Sequence, residues 1–252
     1  MINVVIVGIS GKMGKYLLEE ASVLPDIKIV GGVDAVKREG LSCPFYETLE
    51  QLSKTPDCIV DFSHPAALTA ILNYAVKNAV PVVLCTTGHS AAQVKEIEKA
   101  AARIPILKSG NMSLGVNAIL DLIRKAAETL TDFDIEIMEA HHNGKSDAPS
   151  GTALMLFDAA NSGLKEKKRL VYGRNPDSGR REKDEIGMHS LRGGTVPGQH
   201  EVFFFGSDEV VTISHTALSK RIFAAGAFKA ARFLIGQPAG LYSMREVLTY
   251  KV

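Results

Sequence analysis

The sequence predicts a doubly wound parallel α/β sheet in its first half, joined to a smaller α+β region built on a mixed sheet. Three observations carry this expectation. Up to Lys108, short apolar runs rich in β-branched residues alternate with segments of helical spacing, the pattern of βαβ units whose strands are covered on both faces. Gly8, Gly11 and Gly14 stand where the first such run gives way to a helix, as in the glycine turns that let a backbone approach a phosphate. Beyond Met112 the texture changes: strand-like segments follow one another, which is the order of an α+β unit.

The elements follow in chain order. "INVVIVG" reads as a central strand and "KMGKYLLEEAS" as its helix. "IKIVGGVD" is a second strand, ending at Asp34, and "PDCIVDFS" a third, followed by the helical "PAALTAILNYAVKNA". "VPVVLCTTG" and "IPILKS" are the fourth and fifth strands, with the helix "SAAQVKEIEKAAAR" between them. "SLGVNAILDLIRKAAETL" is a long amphipathic helix, "FDIEIMEAHH" alternates as a half-buried strand does, and "SGTALMLFDAANSG" is helical with Gly163 as its C-cap. Residues 164–186 are polar and patternless, and receive no element. "GMHSLRGG", "HEVFFFGS" and "EVVTISHTA" are strands, the last two joined at Ser207-Asp208. "SKRIFAAGAFKAARFLIG" is a closing helix, expected to pack back on the first region because a chain end needs a core. The domain reading is therefore 1–112 completed by 220–252, and 113–219.

Composition excludes several function classes. The formal net charge of +1 leaves no basic excess for a nucleic-acid partner. The three cysteines, Cys43, Cys58 and Cys85, are odd in number and form no C-x-x-C, which argues against zinc ribbons and disulfide frameworks and for a reduced, cytoplasmic setting. No apolar run approaches the roughly 18 residues of a membrane span, and the amino terminus reads as a strand rather than a signal peptide.

Two candidate sites remain. Gly8-Ile9-Ser10-Gly11-Lys12-Met13-Gly14 is a G-x-x-G-x-x-G variant of the dinucleotide fingerprint. The glycines alone would also suit a structural αβ corner, but Asp34 ends the next strand about 20 residues on, where a carboxylate accepts from ribose hydroxyls. Phe62 and Thr86-Thr87-Gly88 follow the third and fourth strands, at the edge where ligands bind in such sheets; alone, Phe62 could be core and Thr87 a helix cap. The second site is "EAHHNGKSDAPSGTA". Ser150, Gly151 and Thr152 begin a helix, which makes an anion site, and His141, His142 and Lys145 precede it. Adjacent strand residues point opposite ways, so His141 and His142 are expected either to do different jobs or to have only one of them facing the site. The cluster lacks a third histidine or a cysteine at ligand spacing, so no metal is expected. A solvated loop is the bland alternative; the helix start beside the cations favours a small molecule bearing carboxylates.

"GISGKMG", "DFSHP", "TTG", "NMSLGVN", "EAHHNGKSDAPSGTA", "LRGGTVPGQHEVFF" and "GLYSMREVL" resemble, in order and spacing over essentially the whole chain, the 4-hydroxy-tetrahydrodipicolinate (dihydrodipicolinate) reductase family. The resemblance implies a Rossmann-like dinucleotide domain, a substrate and tetramerisation domain, and reduction of a cyclic dicarboxylate by NADH or NADPH on the diaminopimelate route to lysine, in a homotetramer. It implies hydride addition at ring C4, His141 as general acid and Lys145 as second proton donor. His142, Lys145, Ser150, Gly151 and Thr152 match substrate-carboxylate positions. Gly8, Ile9, Ser10, Gly11, Lys12, Met13, Asp34, Cys85, Thr86, Thr87, Ser109, Gly110, Asn111 and Met112 match cofactor positions, to which Phe62 is added from its place after the third strand. Ala35 stands where dual-cofactor members often carry arginine, so NADH is expected to be preferred. Another amino-acid-pathway dehydrogenase, or a non-catalytic nucleotide sensor on the same scaffold, would lack the His-His-x-x-Lys block. "HEVFFFG" puts Val202 and Phe204 on one sheet face and Phe203 and Phe205 on the other, so the second face is expected to be buried between subunits.

Overall fold

Seven strands of the first unit form one parallel sheet in the order β12-β6-β5-β4-β1-β2-β3. They are β1 (Ile2–Val7), β2 (Ile27–Val33), β3 (Phe45–Tyr46), β4 (Cys58–Asp61), β5 (Val82–Leu84), β6 (Pro105–Lys108) and β12 (Gly240–Tyr242). The structure, a computed structural model, describes residues 1–250. This unit comprises Met1–Leu114 together with the chain from Lys220 onward. Its helices are α1 (Lys12–Ala21), α2 (Leu68–Asn78), α3 (Ala91–Ala101), α6 (Arg221–Leu234) and α7 (Met244–Thr249).

The nearly continuous apolar runs have a simple cause. Val4 and Ile6 face a core shared with Leu17 of α1 and Phe228 of α6, while Val5 and Val7 face Leu68 and Ile71 of α2 and Ile97 of α3. Both pleats of β1 are thus dry, and a polar residue on either would lie buried without a partner. The strand order reverses at β1, between β2 and β4, which opens a crevice at the carboxyl ends of the strands.

The second unit, Gly115–Ser219, holds a five-stranded mixed sheet in the order β11-β10-β7-β9-β8. Its strands are β7 (Asp134–His141), β8 (Arg169–Tyr172), β9 (Glu185–Arg192), β10 (Gly198–Phe205) and β11 (Val210–Ala217); α4 (Leu114–Thr129) and α5 (Gly151–Gly163) cover one face. Central β7 runs parallel to β9 and antiparallel to β10. Ile135 and Ile137 of β7, Ile186 and Met188 of β9, and Val202 and Phe204 of β10 meet Ile123 of α4 and Leu156 of α5 in its core.

Four expectations need correction. The patternless stretch 164–186 contains β8 and the first residues of β9; its charges pair with one another, Arg169 bonding Glu182 at 3.0 Å, Asp184 at 3.2 Å and Glu185 at 2.6 Å. Gly163 is the last residue of α5 rather than its cap, which is Leu164. The glycine is there because a Cβ would strike the Arg124 carbonyl of α4. The second strand ends at Val33, so Asp34 is the first residue beyond it. Finally, β3, β12 and α7 received no assignment from sequence.

Candidate functional site

In the first unit, the glycine turn follows β1 directly. Gly8 has φ +86°, and a Cβ there would lie 2.5 Å from the Phe62 carbonyl oxygen; only glycine takes that conformation this close to a neighbouring chain. At Gly14 a Cβ would collide with the Ile9 carbonyl. Gly11 caps α1 in extended backbone without a side-chain hydrogen bond, leaving the first-turn amides with no side-chain cap to satisfy them. A bare helix start behind a turn where side chains do not fit suits a pyrophosphate.

Asp34 is fixed against this turn. Its Oδ2 accepts from the Ser10 amide at 3.0 Å and its Oδ1 from the Ala35 amide at 2.8 Å, while the Ser10 hydroxyl donates to the Val36 carbonyl at 2.6 Å. Phe62 leaves β4 with its amide bonded to the Val7 carbonyl at 3.0 Å. Cys85, Thr86 and Thr87 leave β5, and the Ser109 amide returns to the Leu84 carbonyl at 3.2 Å. Ser109 and Asn111 hold their own loop: the Ser109 hydroxyl donates to the Asn111 carbonyl at 2.7 Å, and Asn111 Oδ1 accepts from the Ser113 amide at 2.8 Å. All the named cofactor positions therefore lie at the carboxyl ends of one sheet. Cys85 and Met112 are buried side chains, so a ligand would meet their backbone.

Sequence reasoning passed over Asp61, a carboxylate only 1% exposed at the end of β4. Burial raises its pKa, while Ser63 and Thr86 hydroxyls pull it down. Ser63 donates both its amide, at 3.0 Å, and its hydroxyl to the Asp61 Oδ1. This bracing shapes the β4–α2 turn, whose backbone faces Gly8.

In the second unit, His141 ends β7 and is 8% exposed. Its Nδ1 lies 2.6 Å from Glu139 Oε2. Glu139 is completely buried and takes a two-pronged contact from Arg192, at 2.9 and 2.8 Å, and the Ser150 amide at 3.1 Å. Burial would raise the Glu139 pKa; hydrogen bonds from Arg192, His141 and Ser190 overcome it and leave it at about 2. An ionised carboxylate only accepts, so Nδ1 carries a proton and Nε2 is the nitrogen left for chemistry. Gly198 keeps space beside it: a Cβ there would lie 3.1 Å from Nε2. Burial lowers the His141 pKa, Glu139 opposes this, and Lys145 and Arg192 reinforce it.

The loop after β7 carries the second cation. Lys145 Nζ pairs with Asp147 Oδ1 at 2.8 Å, and Arg192 reaches the Asp147 carbonyl at 2.6 Å, fastening the loop to β9. His142 is half-buried, its amide donating to the Val196 carbonyl at 2.8 Å. α5 then starts at Gly151, with Ser150 as N-cap accepting the Ala153 amide at 3.1 Å. His141, His142, Lys145, Ser150, Gly151 and Thr152 thus lie on one strand–loop–helix passage. Glu139, Asp147, Arg192 and His200 belong to the same cluster and were missed. The only sequence signal for Glu139 was an acid at an inward position of an alternating strand. Among the described residues no group of three or more His, Cys, Asp or Glu is placed to hold a metal, and no helix is long and apolar enough to cross a membrane.

Comparison with known proteins places the whole chain in one family. Residues 2–112 match the family model "Dihydrodipicolinate reductase, N-terminus" and residues 115–248 match "Dihydrodipicolinate reductase, C-terminus". A 4-hydroxy-tetrahydrodipicolinate reductase of Caldanaerobacter subterraneus subsp. tengcongensis is 47% identical over 98% of both chains, and one of Clostridium novyi is 42% identical over 100% of both. Among solved structures, the dipicolinate-bound dihydrodipicolinate reductase of Paenisporosarcina sp. TG-14 shares the fold with a TM-score of 0.81 at 22% identity, covering 98% of this chain and 99% of that one. The C. glutamicum DAP dehydrogenase in complex with DAP follows at a TM-score of 0.60 and 15% identity, covering 100% and 96%. With both halves matched in order and close relatives along its full length, the chain belongs to the dihydrodipicolinate reductase family.

Proposed function

We propose that the protein reduces 4-hydroxy-tetrahydrodipicolinate to tetrahydrodipicolinate with NAD(P)H, on the diaminopimelate route to lysine, in the cytoplasm. The observation that carries this reading is the passage from His141 to Thr152. It joins a histidine held by a buried carboxylate, a lysine and a helix start within one short segment, which suits a small dianion. Ser150, Gly151, Thr152, His142 and Lys145 would hold the two carboxylates. Gly8 to Met13, Asp34, Phe62, Cys85 to Thr87 and Ser109 to Met112 would hold the cofactor, and the dihydronicotinamide, when bound, supplies a hydride to ring C4. Because C4 of this substrate carries a hydroxyl, that group must first leave as water, with a hydrogen from the neighbouring ring carbon, to give the conjugated ring that accepts the hydride. The neighbouring carbon of the resulting enamine then takes a proton from the His141/Lys145 pair. Free His141 favours its neutral form, since burial lowers its pKa. A bound dianion would favour the imidazolium and so charge the acid when substrate is present.

Asp34 supports a preference for NADH: its carboxylate suits free ribose hydroxyls and repels a 2′-phosphate, and Ala35 supplies no cation. The exposed outer face of the second sheet supports a homotetramer. Leu191 is 51% exposed, Val210 53% and Phe205 40%, and Phe203 stacks on Phe205 at 5.8 Å; such a face calls for a partner surface. Light scattering at micromolar protein should give four times the chain mass, and a monomer would refute the assembly. The reaction is tested by mixing enzyme, NADH and freshly made product of the preceding synthase. NADH should be consumed only when all three are present, and no consumption with either NADH or NADPH would overturn the assignment.

A further inference from the structure

His200 of β10 has no place in the reaction as derived so far, yet it is 4% exposed and lies at the centre of the second-unit cluster. Its Nε2 is 3.0 Å from Ser150 Oγ. Its ring meets that of His141 edge to face, with centroids 5.2 Å apart and planes at 79°. Its Nδ1 is buried without a hydrogen-bond partner among the described residues. A buried polar atom left unpaired is costly, so the ring is kept there for what its other nitrogen does.

That nitrogen has one available role. Ser150 Oγ already accepts the Ala153 amide that it caps, so its hydroxyl hydrogen points elsewhere, and His200 Nε2 is the acceptor in reach. An imidazole nitrogen that accepts carries no proton. We propose that His200 is a positioning residue: as the neutral Nδ1–H tautomer it accepts the Ser150 hydroxyl, holds that side chain as the cap of α5, and thereby fixes the helix start that receives a substrate carboxylate. The proposal deepens the assignment above and rests on its reading of the α5 amino terminus as a carboxylate site. The surroundings favour the neutral ring. His141 and Glu139 face it from β7, His215 from β11 and Lys145 from the loop; burial first, then His141, lower its pKa to about 4. Protonation would reverse the Ser150 hydrogen bond and add a cation against His141.

The test uses the full-length enzyme and pyridine-2,6-dicarboxylate (dipicolinate) as the dianion. His200→Phe keeps the ring and removes the acceptor, and His200→Gln restores an acceptor. His200→Phe should weaken dipicolinate binding about tenfold, the effect of one lost hydrogen bond of ordinary strength, with NADH affinity unchanged and thus a folded protein. Ser150→Ala should cost at least as much, since it also removes the cap of α5, and the double variant no more than Ser150→Ala alone, because His200 acts only through that side chain. His200→Gln should recover most of the affinity. Independently of any ligand, imidazole ¹⁵N spectra should show His200 as the Nδ1–H tautomer from pH 7 down to pH 5. Wild-type dipicolinate affinity in His200→Phe, multiplying losses in the double variant, or an Nε2–H or cationic ring at pH 7 would each overturn the role. Lys145→Ala separates the two levels. If it too binds dipicolinate like wild type, the carboxylate-site reading itself fails. If it binds weakly while His200→Phe does not, only the role of His200 fails.

Discussion

The two units each carry a proposed anion site at a helix start, built by opposite means. At α1 the cap is Gly11, no side chain bonds the first turn, and Gly8 and Gly14 clear the approach. At α5 the cap is Ser150, and behind it the buried Glu139 and His200 and the half-buried Arg192 form a hydrogen-bonded frame. A pyrophosphate is large and multiply charged, so a bare backbone suffices provided nothing obstructs it. A small dicarboxylate meets fewer groups, so each donor must be held in place, and fixed polar groups in a dry site act more strongly than mobile ones. The first site is defined by the side chains it omits, the second by the side chains buried behind it.

The comparison is sharpest if side-chain changes in the second unit leave the first untouched. His141→Gln should lower turnover by about a hundredfold or more, the usual worth of a general acid, and Lys145→Ala should lower it more than tenfold and raise KM. NADH affinity should stay at the wild-type value in both. Steady-state kinetics with near-normal rates in both variants would remove them from the chemistry.

The next effect is in acid. His200 has its pKa lowered to about 4 from an ordinary 6.5, so the unfolded chain binds the extra proton first. Stability is complete above pH 6.5 and falls as the pH drops toward 4, by up to about 3 kcal/mol. Glu139, lowered from 4.5 to about 2, adds a second loss as the pH falls from 4.5 to 2. In the first unit Asp61 is shifted the other way, so its contribution grows as the pH falls. Denaturant titrations across pH should show the upper loss in wild type and a flatter profile in His200→Phe; equal slopes would contradict the buried neutral ring.

Gly14→Ala probes the first site by addition rather than removal. The new methyl group would strike the Ile9 carbonyl, at a cost of about 1–3 kcal/mol for forcing the turn open. Calorimetry should find NADH bound more weakly and dipicolinate bound as before. Weakening of both ligands alike would deny that the two sites are independently built. The smallest expected effect is cofactor choice. Lys37 and Arg38 follow Asp34 and Ala35 in sequence, but a screened cation is worth about 1 kcal/mol or less. The ratio of kcat/KM should therefore favour NADH while NADPH retains activity. A reversed ratio that disappears on replacing Lys37 and Arg38 by Ala would make them the phosphate ligands.

The comparison also explains what could be read from the sequence. β1 and β4 to β6 were legible because strands covered on both faces leave apolar runs, β2 because it is apolar apart from the exposed Lys28, and the glycine turn because its spacing is local. His141, Lys145 and Ser150 were legible for the same reason, all lying within one segment. β3 and β12 have two and three residues, too few for a period to show. β8 was hidden because its charges are satisfied by partners up to 16 residues away, such as Arg169 with Glu185. The frame behind α5 was hidden by distance: Glu139 is explained by Arg192, 53 positions on, and Ser150 by His200, 50 positions on. Sequence shows an acid at a core position there, and only strand pairing shows what neutralises it.

β7 has hydrogen-bonded neighbours on both sides, and this gives the strand and the loop that follows it different lifetimes. Amides of a doubly flanked central strand exchange with solvent only when much of the sheet opens, whereas loops open by small local excursions. His141, the last residue of β7, is paired with Arg192 of β9 and opens with the end of the sheet, whereas Lys145, four positions later on the loop, opens by smaller excursions. Under the proposed roles, the acid would move only with the sheet, while the lysine would let go of Asp147, take a carboxylate and release it without disturbing the strands.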